Sequence, residues 1–182
     1  MQLKMSDLET DRLRLREFRQ TDSLAITHWE QNFRTDTFLE FCFRSYREWG
    51  MGPWAMQLKE GGVIIGNCGF CRIRYDCNHD QFEYCGEVNY YVAPPYRGKG
   101  LATETLRAVL EFGFEDIRLT RVQARCVPEN VASERVLQKA SLKFERMIAA
   151  SEGRPAEKLY VVSREDFHCS RSYLPLQRSG GL

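Results

Sequence analysis

A glycine-rich stretch, residues 96–104, carries the residues whose types and spacing point most clearly to chemistry. It reads Tyr-Arg-Gly-Lys-Gly-Leu-Ala-Thr-Glu and lies between a strand-like segment and a helical pattern. Gly98 and Gly100 allow a sharp turn that brings backbone N–H groups close to a ligand. The first turn of a helix has N–H groups without intrahelical partners and a partial positive charge. With Arg97 and Lys99 beside it, the stretch predicts a site for a phosphate or pyrophosphate.

This loop differs from two widespread phosphate-binding sequences. The Walker pattern G-x-x-x-x-G-K-S/T and the dinucleotide pattern G-x-G-x-x-G are both absent from the chain. A plain turn from strand to helix, in which the glycines only fix the geometry, is the structural alternative. The loop by itself leaves both interpretations open.

Alternating and helical hydrophobic patterns predict the elements that must position the loop. Strands are predicted at residues 12–18, 54–58, 63–74, 83–92, 121–127, 142–150 and 157–164, and helical segments at 21–48, 99–116 and 131–140. A strand, a helix and a second strand in succession form a βαβ unit, whose strands are parallel with a right-handed crossover. Antiparallel hairpins flank that unit. The predicted fold is a mixed α/β sandwich, a twisted and largely antiparallel sheet with one parallel pair and helices on both faces.

Length and composition favour one globular domain. The 182 residues are 43% hydrophobic and 28% charged, which is ordinary for a folded protein. We expect a single domain over residues 1–167 and a flexible tail over residues 168–182. The net charge of +1 gives no reason to expect nucleic acid or an anionic membrane as a partner. The early arginines are interpreted as a solvated strand face: Arg12, Arg14, Arg16 and Arg19.

Cysteine usage and the absence of a signal-like start favour the cytoplasm. Seven cysteines, an odd number, favour reduced thiols. No stretch approaches the roughly 18 apolar residues that a membrane-spanning helix needs. A zinc site is suggested by Cys68, Cys71, Cys77, His79 and Cys85. Because Cys68 and Cys71 should face opposite sides of a strand and a second C-x-x-C pair is absent, we expect no metal.

The loop also fits a family signature. Arg97, Gly100 and Ala102 occupy the fixed positions of the Q/R-x-x-G-x-G/A pattern of GNAT acetyltransferases. Residues 86–92, 128–133 and 139–140 resemble the same superfamily. Residues 8–16 resemble the start of its RimJ/RimL branch, whose members include acetyltransferases of ribosomal-protein N-termini. The resemblance covers roughly residues 8–167 and implies the GNAT fold and acetyl-CoA-dependent N-acetyl transfer.

The resemblance also implies how acetyl-CoA is held. Loop amides bind the pyrophosphate, and the free end of the preceding strand binds pantetheine. The Val92 N–H polarises the thioester carbonyl in an oxyanion-type role. The implied cofactor-binding residues are Tyr91, Val92, Arg97, Gly98, Lys99, Gly100, Leu101, Ala102, Thr103, Asn130 and Ser133.

Transfer to an amine requires a base for the ammonium group and stabilisation of the leaving thiolate. The resemblance implies Glu87 as the first candidate base, directly or through water, and Glu145 as a second. Many GNAT enzymes have a tyrosine further along the helix after Asn130, and Ser133 is implied in its place. The alternatives are structural: a salt-bridged Glu87, a solvent-facing Glu145, and Asn130 as a helix N-cap with Ser133 as its N3 residue.

We therefore expect an enzyme that moves acetyl from acetyl-CoA to a primary amine by direct attack in a ternary complex. No serine or cysteine is paired in sequence with a candidate histidine, so a covalent acyl-enzyme is not expected. Branch resemblance implies a protein or peptide N-terminal α-amine as acceptor. The alternatives are a small-molecule amine (polyamine, aminoglycoside or amino-acid analogue) and a non-catalytic acyl-CoA-binding module. A homodimer is a further conjecture, because such domains often form dimers.

Overall fold

The computed structural model describes residues 5–27, 29, 34–78 and 81–172. The strands are Leu8–Glu9 (β1), Leu13–Arg16 (β2), Trp54–Leu58 (β3), Ile64–Asn78 (β4), Gln81–Val92 (β5), Arg121–Cys126 (β6), Lys143–Ile148 (β7) and Glu157–Ser163 (β8). The α-helices are Ser23–Thr27 (α1), Thr35–Trp49 (α2), Leu101–Glu115 (α3), Val131–Lys139 (α4) and Arg164–Ser172 (α5). Within the described residues, no helix combines the length and apolar character of a transmembrane span.

The described strands form one sheet in the order β1-β2-β3-β4-β5-β6-β8-β7. Its neighbours are antiparallel except β5 and β6, which are parallel and joined through α3. The predicted mixed sheet with one parallel pair is confirmed.

Alternation along the central strands divides the core between the two sheet faces. Trp54 and Met56 of β3 join the large cluster that includes α3, whereas Ala55 between them joins the cluster of α1 and α2. Successive side chains of a strand point to opposite faces. The helices therefore cover both faces, as the sequence predicts. α3 buries Leu106, Val109 and Leu110 against the sheet, in agreement with the predicted helical stripe.

A glycine and a bulge shape the β4–β5 hairpin next to the parallel pair. A Cβ atom on Gly66 would lie 2.1 Å from the Tyr91 carbonyl oxygen, so only glycine fits beside this part of β5. The register shifts between Phe70 and Arg72, which leaves Cys71 in a bulge opposite Glu87. Bulges of this kind redirect neighbouring side chains and are common beside functional sites.

The prediction that the early arginines form a solvated strand face is corrected at one residue. Arg16 is buried rather than solvated, because the Asp22 carboxylate folds over β2 and meets its guanidinium at 2.8 and 2.9 Å. Residues 168–172, assigned by the sequence to a tail, continue α5 as a helix, which packs the buried Phe167 against Phe114. The rest of that segment, residues 173–182, lies outside the described residues.

Candidate functional site

The parallel pair opens beside the glycine-rich loop. β5 and β6 pair only from Cys85–Arg121 to Glu87–Gln123, although β5 runs on to Val92 and β6 to Cys126. Each strand remains paired on its other side, with β4 and β8 respectively. The backbone of β5 after Glu87 therefore faces a gap instead of a neighbouring strand.

The Val92 N–H is directed into this gap. Ala93 donates its N–H to the Ile65 carbonyl at 2.8 Å, on the β4 side. Because successive N–H groups of an extended chain point to opposite sides, the Val92 N–H points away from β4. The carbonyl of Val92 accepts a 2.7 Å hydrogen bond from Arg97 Nε. The N–H is thus the group at this strand end that an incoming carbonyl oxygen can use.

The loop has the backbone geometry that an anion site requires. Gly98 and Gly100 have φ angles of 76° and 77°, a left-handed conformation that favours glycine. Gly100 is the N-cap of α3 and supplies no side-chain cap, so the first-turn N–H groups of Leu101, Ala102 and Thr103 keep the free donors of a helix N-terminus. These N–H groups and the helix dipole favour a phosphate.

A cleft of about 580 Å³, here the loop cleft, runs from this helix end to the strand gap. Its lining contains every predicted cofactor-binding residue except Lys99: Tyr91, Val92, Arg97, Gly98, Gly100, Leu101, Ala102, Thr103, Asn130 and Ser133. Lys99 instead places its ammonium over the Tyr96 ring, 5.5 Å from the ring centroid. Arg135 and Lys139 of α4 add cationic groups that the sequence did not single out.

Asn130 caps α4, and Ser133 lies in its first turn. The Asn130 side chain accepts a 3.0 Å hydrogen bond from the Ser133 N–H, which confirms the N-cap interpretation. Both residues also line the loop cleft. The cap therefore fixes the Ser133 side chain at the edge of the strand gap.

Tyr90 reaches from β5 to the same helix turn. Its phenol oxygen lies 2.7 Å from Ser133 Oγ and 3.2 Å from the Ser133 carbonyl oxygen. Burial raises the pKa of Tyr90 to about 12, against a smaller lowering by the hydrogen bond to Ser133. The phenol is thus protonated at neutral pH and can donate a hydrogen bond.

Glu87 faces a second cleft, here the polar cleft, also of about 580 Å³. Gln123 Nε2 donates to Glu87 Oε2 at 2.9 Å, and Arg125 Nη2 lies 3.5 Å from the same oxygen. Both contacts use Oε2, which leaves Oε1 for a proton or a water molecule. The charged residues lining this cleft are Arg72, Glu87, Arg125, Arg154 and Glu157. Tyr90, Asn130 and Ser133 line both clefts, so the clefts meet at the Tyr90–Ser133 contact.

Comparison with known proteins agrees with this geometry. Residues 12–143 match the family described as Acetyltransferase (GNAT) domain, which is more than half of the chain. The chain belongs to the GNAT acetyltransferase family. It is an acetyl-CoA-dependent N-acetyltransferase.

One curated relative and two solved structures illustrate what this GNAT domain is similar to. The chain is 28% identical over 152 residues to an uncharacterized N-acetyltransferase, YnaD, from Bacillus subtilis, with 76% of this chain and 83% of YnaD covered. Its fold matches Mycobacterium smegmatis RimJ in complex with CoA-disulfide, with a TM-score of 0.72, 19% identity, and 92% and 94% of the two chains covered. It also matches a spermidine N-acetyltransferase SpeG chimera from Vibrio cholerae and hSSAT, with a TM-score of 0.70, 16% identity, and 87% and 99% covered. At these identities the two structures show the fold alone.

Besides Arg135 and Lys139, the GNAT site includes a tyrosine beside Ser133 that the sequence did not single out. Tyr90 alternates with Val88 and Val92 on the face of β5 that packs into the α3 core. The sequence pattern that could have indicated Tyr90 is a tyrosine near the end of an apolar strand face, next to the glycine-rich loop. Its contact with Ser133, 43 residues later, depends on how α4 docks and is not contained in the local pattern.

The second candidate base lies away from both clefts. Glu145 sits at the register shift of β7 and forms a 2.6 Å ion pair with Arg121. Arg121 begins β6, whereas the strand gap lies at the other end of that strand. The structure therefore does not bring Glu145 together with Ser133 and Val92.

The cysteines considered as zinc ligands do not come together among the described residues. Cys68 is buried, whereas Cys71 is exposed and donates to the Glu87 carbonyl at 3.3 Å. The two thus face opposite sides, as predicted. Across the described ranges no group of three metal-ligating side chains comes together, and His79 lies outside them.

A larger groove of about 820 Å³ lies along α2. Among the described residues its lining comes from Arg34 and α2 and includes none of the residues that line the loop cleft or the polar cleft.

Proposed function

We propose that this enzyme transfers acetyl from acetyl-CoA to the α-amine of a peptide or protein N-terminus, by direct attack in a ternary complex. The observation that carries this proposal is the meeting of the two clefts at Tyr90 and Ser133. A donor in the loop cleft and an amine in the polar cleft would react across this junction.

The loop cleft holds the donor through backbone groups. The N–H groups around Gly98 and Gly100 and the first turn of α3 bind the pyrophosphate, and Asn130 and the end of β5 bind pantetheine. Acetyl-CoA supplies an activated acetyl group on a thiol leaving group. The Val92 N–H donates to the thioester oxygen as negative charge builds there, a contribution typical of backbone oxyanion donors.

Arg97 serves this arrangement by fixing the strand end. Its Nε holds the Val92 carbonyl, and its guanidinium carbon lies 5.4 Å from the centroid of the Tyr91 ring. Its cationic group also lines the loop cleft. Replacing Arg97 by a neutral residue would remove a positive charge from the loop cleft and would also loosen the position of Val92.

Glu87 takes a proton from the acceptor's ammonium group, which leaves a neutral amine to attack the thioester carbonyl. Its carboxylate lines the polar cleft and is held by Gln123 through Oε2, so Oε1 is the oxygen that accepts the proton, directly or through a bridging water molecule. Glu145 is not needed in this scheme because it is engaged with Arg121.

Ser133 donates a hydrogen bond to the leaving thiolate, and Tyr90 donates to Ser133. Since the Ser133 hydroxyl has one proton, a neighbouring phenol lets it donate to sulfur while accepting from Tyr90. This pair takes the place of the tyrosine that many GNAT enzymes carry further along the helix.

The charges of the polar cleft support a peptide acceptor over a polyamine or aminoglycoside. Three arginines and two glutamates line it, which disfavours a polycation. The buried Arg125 Nε has no hydrogen-bond partner among the described residues, so it is available to a carbonyl or carboxylate oxygen after a small side-chain adjustment. Peptide termini and amino-acid analogues provide such oxygens beside the amine.

A panel of amines tests the acceptor. Thiol release from acetyl-CoA is measured with short peptides of varied N-termini, amino-acid analogues, spermidine and an aminoglycoside, with Glu87→Gln as the low-activity control. The proposal requires peptides to have the highest kcat/KM. Preference for spermidine contradicts the peptide assignment. If no amine releases thiol while calorimetry shows acetyl-CoA binding, the acceptor is an amine outside the panel or the chain is a non-catalytic acyl-CoA-binding module, and in either case the peptide assignment fails.

A further inference from the structure

A cluster of hydrogen bonds joins the N-terminal segment to the start of α3. Thr10 Oγ1 and the Arg12 N–H donate to Glu104 Oε1 at 2.6 and 2.9 Å. Arg12 Nε and Nη2 lie 2.7 and 2.6 Å from Glu104 Oε2. The Arg12 side chain is half exposed, whereas that of Glu104 is 18% exposed. Four donor groups thus converge on one carboxylate.

The position of Glu104 calls for such neutralisation. It lies in the first turn of α3, at the helix end that must accept phosphates. Burial raises the pKa of its carboxyl, but the hydrogen bonds from Thr10 and Arg12 outweigh burial and lower the pKa. Glu104 is therefore ionised at neutral pH, and without Arg12 its charge would repel a phosphate bound nearby.

Arg12 also fixes the orientation of one loop peptide. Its Nη1 donates to the Lys99 carbonyl at 2.9 Å. That carbonyl and the Gly100 N–H belong to the same planar trans peptide, so they point in opposite directions. Holding the carbonyl on the Arg12 side directs the Gly100 N–H away from Arg12, toward the loop cleft that Gly100 lines.

We propose that Arg12 and Glu104 form a positioning pair that aligns the Gly100 amide for the pyrophosphate of acetyl-CoA. Neither side chain has to touch the donor. The pair acts on donor affinity and not on the acetyl-transfer step. This inference rests on acetyl-CoA binding in the loop cleft.

The test uses two acetyl donors, of which only one contains the pyrophosphate. Acetyl-CoA contains the pyrophosphate, whereas acetyl-pantetheine carries the same thioester without it. Arg12→Gln in the 182-residue chain should raise the Kd and KM for acetyl-CoA roughly tenfold, the loss that one charge-assisted hydrogen bond produces, with kcat within about twofold. The kcat/KM for acetyl-pantetheine should be unchanged.

Arg14→Gln is the matched control. Arg14 lies in β2, two residues after Arg12, and forms an exposed ion pair with Asp7 at 2.8 Å, but it is not bonded to the loop. Its acetyl-CoA affinity should equal that of the wild type. Arg12→Lys keeps the charge but loses the planar fork that reaches Glu104 and Lys99 together, so it should fall between the wild type and Arg12→Gln.

The direction in which Glu104→Gln changes the affinity for acetyl-CoA distinguishes positioning of Arg12 from simple repulsion of phosphate. If Glu104 only repels phosphate, removing its charge tightens acetyl-CoA binding. If it anchors Arg12, removing the charge weakens binding, which is the expected result. Tighter binding in Glu104→Gln, unchanged affinity in Arg12→Gln, or equal losses with both donors would overturn the inference. Absence of acetyl-CoA binding in the wild type would instead defeat the proposed function.

Discussion

Replacing Tyr90 by phenylalanine removes a phenol whose main contact is the Ser133 side chain. The phenol makes one 2.7 Å contact with Ser133 Oγ and a longer one with the Ser133 carbonyl. Loss of one such hydrogen bond lowers the free energy of unfolding by about 0.5–1.5 kcal/mol. For a chain of this size the melting temperature should fall by roughly 1–6 °C. The variant stays folded at assay temperature, so a change in kcat reports on chemistry.

The expected loss in kcat for Tyr90→Phe is roughly 10²-fold, at the low end for acid–base groups because Ser133 remains. If Tyr90 acts through Ser133, the double variant with Ser133→Ala should be no slower than the slower single variant. The coupling energy should then approach about 2.7 kcal/mol, which is the full effect of one 10²-fold loss.

The pH dependence follows from the raised pKa. Since the acid form is the active one and its pKa is about 12, the phenol should remain protonated up to pH 10. A wild-type kcat that is flat between pH 8 and pH 10, measured by thiol release, is the expected result. Unchanged kcat in Tyr90→Phe, or strictly additive losses with Ser133→Ala, would refute the relay from Tyr90 to Ser133.

Four further substitutions test the site and the elements that hold it. Glu87→Gln should lower kcat by roughly 10²–10⁴-fold, and its acetyl-CoA affinity measured by calorimetry should be unchanged. The kcat of Glu145→Gln should stay within about twofold of the wild-type value. The reverse pattern would show that Glu145 of β7 is the base. Asp22→Asn leaves the buried Arg16 without its counter-ion and should lower the free energy of unfolding in urea by about 3–5 kcal/mol. Burial raises the pKa of Asp22, but the hydrogen bonds from Arg16 and Arg19 lower it by more, so the pKa lies below its usual value. The difference in unfolding free energy between Asp22→Asn and the wild type should therefore be fully present above about pH 4 and should vanish as the pH falls through the lowered pKa of Asp22. A difference that does not depend on pH would exclude this ion pair as its source. Gly66→Ala forces a Cβ atom against the Tyr91 carbonyl and should lower both stability, by about 1–3 kcal/mol, and kcat/KM; wild-type kinetics would show that the Val92 strand end tolerates displacement.

Local sequence patterns were sufficient for the elements that carry the site. The bounds of β3 agree with the sequence at both ends, and the loop glycines form the sharp turn that was expected, with a left-handed backbone at both positions. The strand ending at Val92 and the cap at Asn130 also follow from local signals. These features depend on residues close together in the chain.

Contacts between distant segments could not be read in the same way. Arg14 and Arg16 look alike in an alternating strand, yet Arg16 is buried because a 3-10 turn brings Asp22 over it. Similarly, Glu145 and Glu87 are both acids on strands, and the strand order β5-β6-β8-β7 separates them. Pairings across the sheet and across helix ends decide such positions, and these require the folded chain.

Direct transfer is tested most closely by a single-turnover experiment with enzyme in excess over acetyl-CoA labelled in its acetyl group. With a peptide acceptor present, the label should move to the peptide amine at the rate at which thiol appears, and the protein should carry no label. Label on the protein before the peptide, for example on the exposed Cys71, or no label on any amine while acetyl-CoA is bound, would contradict direct attack across the Tyr90–Ser133 junction.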